Sequence, residues 1–155
     1  MTEKKVLLVD YDAQSLEKLT ELMRTQKVQI LKAADGQAAY DMFQAEKPDL
    51  VVLEAFLPKI HGFDLTKKII HDSRGRVPVV IITGLYRGPH YRHEALATFG
   101  AAEYFEKPLD GEKFLGTVAQ LLHGEDEIED DLPDSSVVIA SLSQRVKEQG
   151  SRRRS

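Results

Sequence analysis

The feature that most constrains this chain is an alternation running from residue 5 to residue 123, in which short apolar runs are each followed by a stretch with helical spacing. Residues 6–9, 28–31, 50–53, 79–82 and 103–105 read as strands, the last mainly from its place in the alternation. Three of these runs are continuously apolar, which suits strands covered on both faces, as in a parallel sheet. Between them, Leu16, Leu19, Leu22 and Met23 repeat at helical spacing after Asp12, a candidate N-cap. Ala38, Ala39, Met42 and Phe43 do the same after Asp35, and that helix must stop near Pro48. Further helices are expected over 63–70, over 93–99 with closure at Gly100, and from Asp110 with Phe114, Leu115, Val118, Leu121 and Leu122 on one face. The sum is βα repeated five times, an α/β fold with a doubly wound parallel sheet.

At 155 residues the chain holds one domain with a sizeable core and is too short for two ordinary ones. No apolar run approaches the roughly 20 residues of a membrane span, and the charged start reads as no signal peptide. The absence of cysteine excludes disulfides and thiolate metal sites and fits a cytoplasmic location. A formal charge of −4 argues against nucleic acid as a partner of the whole surface. After residue 123 the composition changes. Residues 124–134 are almost entirely acidic and read as a solvated linker. Residues 135–149 carry Val138, Ile139, Leu142 and Val146 on one stripe, as a short amphipathic helix would, and 150–155 form a basic tail around Arg152, Arg153 and Arg154.

In an open α/β sheet, ligands bind outside the carboxyl ends of the strands. The first strand ends here in Asp10-Tyr11-Asp12, the third in Glu54, the fourth in Thr83-Gly84 and the fifth in Lys107-Pro108. Two acids, a hydroxyl and a lysine therefore converge on one crevice, a set that can hold a divalent cation and a phosphoryl group.

These segments, together with Ala55-Phe56-Leu57-Pro58-Lys59-Ile60-His61-Gly62 and Gly100-Ala101-Ala102-Glu103-Tyr104-Phe105-Glu106, make residues 1–123 resemble the response-regulator receiver family of two-component signalling. The resemblance implies the flavodoxin-like strand order 2-1-3-4-5. It also implies an acidic pair that binds Mg²⁺, and an aspartate after the third strand that takes phosphate from a histidine kinase. By position, Thr83 and Tyr104 would be the switch pair, while Lys107, followed by a cis Pro108, would contact the phosphate. The partners it implies are signalling proteins, either a histidine kinase or a downstream effector, with a homodimer left open.

Two positions depart from that pattern. Glu54 stands where the phosphoacceptor aspartate is expected, and Tyr11 replaces the second acid of the pair, so that Asp10 remains and Asp12 is placed to cap the first helix. The extra methylene moves the carboxylate by on the order of 1 Å, enough to cost ~10²-fold in rate. Loss of an acid at Tyr11 removes a charge and a metal ligand. A weak Mg²⁺ site on Asp10 and Glu54 remains allowed, but no cofactor is required. Glu54 either imitates the phosphorylated state in part, pairs inertly with Lys107, or keeps some acceptor activity. The expected role is accordingly a phosphorylation-independent interaction module in phosphorelay signalling, not an enzyme; the alternative is a phosphorylatable, Mg²⁺-dependent receiver. The basic, aromatic stretch Tyr86–His93 is expected to be a solvated, partner-facing loop, since no acid or cysteine joins His90 and His93 to complete a metal site. His61, His71 and His123 are expected at the surface.

Overall fold

The computed structural model describes residues 3–131, with side chains described to residue 124. The chain divides into two compact units, Met1–Leu122 and His123–Ser155. The first unit carries ten elements in strict alternation: β1 (Lys4–Val9), α1 (Ala13–Met23), β2 (Val28–Ala33), α2 (Gly36–Glu46), β3 (Leu50–Glu54), α3 (Gly62–Ser73), β4 (Val79–Thr83), α4 (Pro89–Ala97), β5 (Glu103–Glu106) and α5 (Gly111–Asp131), whose far end lies in the second unit. All strand pairings are parallel, in the order β2-β1-β3-β4-β5. This is the (βα)5 flavodoxin-like architecture.

The continuous apolar runs are explained by two cores, one on each face of the sheet. Leu7, Val9, Val51, Leu53, Val79 and Ile81 point toward one cluster, with Ala39 and Phe43 of α2, Leu65 and Ile69 of α3, and Ala95 of α4. Their neighbours Val6, Leu8, Leu50, Val52, Val80 and Ile82 point the other way, onto Leu19 and Met23 of α1 and Phe114, Val118 and Leu122 of α5. Successive strand residues alternate faces, so a strand buried on both has no polar position to show. The edge strand β2 is only partly covered, which is why Gln29 and Lys32 interrupt its apolar pattern.

The helix starts follow from local chemistry. Asp12 caps α1 by accepting from the Gln14 N–H at 3.3 Å, and Asp35 caps α2 by accepting from Ala38 N–H at 2.7 Å. That hydrogen bond also holds the half-buried Asp35 carboxyl below its ordinary pKa. α4 begins at Pro89, four residues ahead of the expected 93, and ends at Ala97. Proline suits the first helical position because its φ is preset and no N–H is lost there, and Gly88 at φ 108 supplies the turn. Five of the eight residues expected as a loop, from Pro89 to His93, are therefore helical. In α5, Gly124 has φ 53 and ψ −139, and helical backbone resumes to Asp131 across part of the stretch whose acidity suggests a linker. The 135–149 stripe and the 150–155 tail lie outside the described residues. No helix among the described residues is long and apolar enough to cross a membrane.

Candidate functional site

The pairing register fixes which residues meet at the carboxyl end of the sheet. Val9 lies beside Leu53, Glu54 beside Ile82 and Thr83 beside Glu106. Asp10, Glu54, Thr83 and Lys107 therefore end neighbouring strands, and the ladder continues one step as Lys107 N–H donates to Thr83 C=O at 2.8 Å. The β3–α3 loop folds back over this end. Gly62 N–H donates to Ala55 C=O at 2.8 Å, and a Cβ on Gly62 would stand 2.6 Å from the carbonyl oxygens of both Glu54 and Ala55. Only glycine permits that approach.

Asp10 and Glu54 are held alike. Each lies about 4% exposed or less and accepts, through one oxygen, the backbone N–H two residues on: Asp12 N–H to Asp10 Oδ1 at 2.9 Å, Phe56 N–H to Glu54 Oε2 at 3.1 Å. The other oxygen of each takes the Lys107 ammonium, at 3.1 Å for Asp10 Oδ2 and 3.0 Å for Glu54 Oε1. Ser15 Oγ, at 3.4 Å, is the third acceptor around Lys107 Nζ, so all three ammonium donors have a partner. Burial works against the charge on Lys107, but the Glu54 hydrogen bond and the two carboxylate charges outweigh it and raise its pKa. Burial raises the Asp10 pKa as well, although the Asp12 N–H and Lys107 pull it down.

Tyr11 and Asp12 do not join this cluster. Tyr11 is 48% exposed and packs edge-on against Phe56, ring centroids 5.5 Å apart, at the mouth of the crevice. Asp12 faces solvent, and its carboxylate is occupied by Gln14 N–H and the Ser15 hydroxyl. Thr83 is fully buried, yet its hydroxyl accepts from Leu85 and Tyr86 N–H at 3.1 and 3.2 Å and so braces the β4–α4 turn. Tyr104 points inward at 3% exposure and donates to Tyr86 C=O at 2.5 Å; burial, then the Glu106 and Glu54 charges, push its pKa up to about 12. The Lys107-Pro108 bond is cis.

Three contributors carry no sequence signal. Ser15 is one turn into α1 and belongs to no recognisable motif. Arg92 of α4 donates to Tyr104 C=O at 2.8 Å and pairs with Glu103 at 2.6 Å, tying α4 to β5. His61, expected at the surface, is half-buried: its Nδ1 accepts Phe63 N–H to cap α3, and its Nε2 lies 3.3 Å from the Tyr86 hydroxyl. A histidine before a helix reads as a surface residue until the facing aromatic is known. His71 is exposed as expected, whereas His123 is half-buried.

A resident Mg²⁺ fits this donor set poorly. The two carboxylates that do converge share an ammonium, and a cation would have to displace it. The aromatic ring at Tyr11 offers no replacement for the missing acid.

Comparison with known proteins supplies the family. The response regulator receiver domain matches residues 6–119. Protein PilH of Pseudomonas aeruginosa is 30% identical over 121 residues, covering 77% of this chain and 98% of that protein. A probable transcriptional regulator, ycf27, of Porphyridium aerugineum is 27% identical over 89% of this chain, which spans only 57% of that longer protein. Among solved structures, a two-component response regulator from Clostridium difficile superposes with TM-score 0.71 at 27% identity, covering 78% of this chain and 97% of that one. With five parallel strands in receiver order and an acid, a hydroxyl and a lysine at the expected strand ends, the chain belongs to the response regulator receiver domain family of two-component signalling.

Proposed function

We propose that this receiver works as a phosphorylation-independent protein-interaction module, a pseudo-receiver whose pocket is closed by its own charges. The observation that carries the reading is the Lys107 ammonium, held by both Glu54 and Asp10 at 3.0–3.1 Å with no acid at Tyr11 to add a metal ligand. Phosphoryl transfer needs a carboxylate in line with the donor phosphorus and a cation shielding the oxygens. Here the carboxylate at the acceptor position is one methylene longer and already paired. Glu54 acts as the internal partner of Lys107, in keeping with an inert pairing. Mimicry of phosphate would be partial: Tyr104 is inward, but the Thr83 hydroxyl serves the Leu85 and Tyr86 N–H groups and does not reach Glu54. The module is cytoplasmic and non-enzymatic, and it meets a kinase or effector through the face of α4, β5 and α5, with residues 135–149 as a second docking element.

The test is intact mass after incubation with Mg²⁺ and acetyl phosphate, for wild type beside Glu54→Asp. The expected result is that wild type stays unmodified while the Asp variant gains one phosphoryl group. Phosphorylation of wild type would overturn the reading in favour of a working Mg²⁺-dependent receiver with an unusual acceptor. If neither chain reacts, Tyr11 has disabled the metal side too, and the interaction role stands on a pocket that is silent twice over.

A further inference from the structure

At the opposite end of the sheet from Glu54, where the strands begin, lies a trough of about 900 Å³. Four separate segments bring a cation to its rim: Lys4 at the start of β1, Lys47 after α2, and Arg74 and Arg76 in the α3–β4 turn. All four are exposed, and no ion pair joins any of them to a described residue. The two acids nearby are already engaged, Asp49 by the Lys5 N–H at 2.8 Å and Asp72 by Tyr40 and His71. Phe43, Pro48, Val77 and Leu122 add apolar side chains to a lining that is otherwise largely polar. A trough lined by four cations against two acids, with apolar side chains between them, fits an acidic segment that also carries aliphatic side chains.

The chain itself contains such a segment. Residues 124–134 read Gly-Glu-Asp-Glu-Ile-Glu-Asp-Asp-Leu-Pro-Asp, seven carboxylates around Ile128 and Leu132, which are four residues apart. We propose that this trough binds the acidic segment of a second copy, in a reciprocal two-fold exchange. The segment begins two residues after Leu122, which lines the trough, so a two-fold axis near this end of the molecule gives each segment a short crossing to its partner. Such an interface uses the same two surfaces on both copies and closes on itself. It does not depend on whether Glu54 accepts phosphate, because it occupies the other end of the sheet.

The test uses the full chain and charge reversal. Arg74→Glu with Arg76→Glu reverses the trough, and Glu127→Lys, Glu129→Lys, Asp130→Lys and Asp131→Lys together reverse the segment. Light scattering behind size exclusion is expected to show a wild-type dimer at about 50 mM salt that weakens at about 500 mM, where the Debye length falls to a few ångströms. Either reversed variant alone is expected to lose more than about tenfold in dimer affinity. Mixed together, the two are expected to form a heterodimer, since each positive segment then meets a negative trough and each negative segment a positive one. A monomeric wild type at low salt overturns the proposal, as does a dimer indifferent to trough reversal. A mixture that stays monomeric while both parents remain folded also overturns it, and assigns the segment to its own trough.

Discussion

At the carboxyl end of the sheet, two nearly buried carboxylates share one half-buried ammonium at 3.0–3.1 Å. At the amino end, four cations stand in solvent around a shallow trough, with no ion-pair partner among the described residues. Both sets are placed by the same parallel strands, yet their energetics differ. A buried charge must be neutralised by its neighbours or it unfolds the site, whereas an exposed charge is solvated and stays available. The first arrangement stabilises a local structure and closes it. The second leaves a potential that another molecule can answer.

The sharpest way to break the comparison is Lys107→Met. It removes the ammonium and leaves Asp10 and Glu54 facing each other in a buried pocket. The expected cost at neutral pH is about 3 kcal/mol, measured by denaturant unfolding, because a buried pair broken on one side leaves uncompensated charge. The loss should shrink as the pH falls into the acid range, where the Asp10 carboxyl, raised by burial, takes up a proton first. A variant as stable as wild type at pH 7 would mean that water or a counter-ion, and not Lys107, neutralises the two carboxylates.

Asp10→Asn acts in the opposite direction and is smaller. Burial raises the Asp10 pKa in the folded protein. A raised folded pKa means that the stability linked to this group is present below its unfolded pKa of about 3.9 and is lost as pH rises through the folded value. Ionised Asp10 is thus a cost at neutral pH. The amide keeps an oxygen for Asp12 N–H and leaves Lys107 paired with Glu54, so a gain of about 1 kcal/mol is expected at pH 7. The gain should vanish below about pH 4. A loss at pH 7 would show that the Lys107 pairing outweighs burial at Asp10.

The two ends were not equally legible in the sequence. Asp10, Glu54 and Thr83 could be located because each closes an apolar run, and a parallel register places those ends side by side; Lys107 follows the weak β5, which only its place in the alternation marks as a strand. The fold came from the same source, since two-sided burial leaves a continuous Val/Ile pattern that few other architectures tolerate. What stayed hidden depends on which way a side chain turns. Nothing in the residue order says that the Thr83 hydroxyl bends back to Leu85 and Tyr86, that Ser15 completes the Lys107 shell, or that His61 faces Tyr86. The start of α4 was misplaced because His90, Tyr91, Arg92 and His93 lack an amphipathic pattern, while the true signal, Gly88-Pro89, is a turn and a helix start at once. The trough was invisible for a different reason. Its cations come from positions 4, 47, 74 and 76, too far apart in sequence to look like a patch.

The smallest expected effect is the most discriminating about that trough. Arg74→Glu with Arg76→Glu changes two exposed side chains that pair with nothing in the described residues. Surface substitutions of that kind move stability by less than about 0.5 kcal/mol. The unfolding free energy, measured at high salt and low concentration where any dimer is dissociated, is therefore expected to match wild type within that margin, in contrast with Lys107→Met. The arginines would then contribute to association alone. A destabilisation well beyond this range in the monomer would mean that the cations already have a partner within their own chain, and the contrast between the closed end of the sheet and the open one would fail.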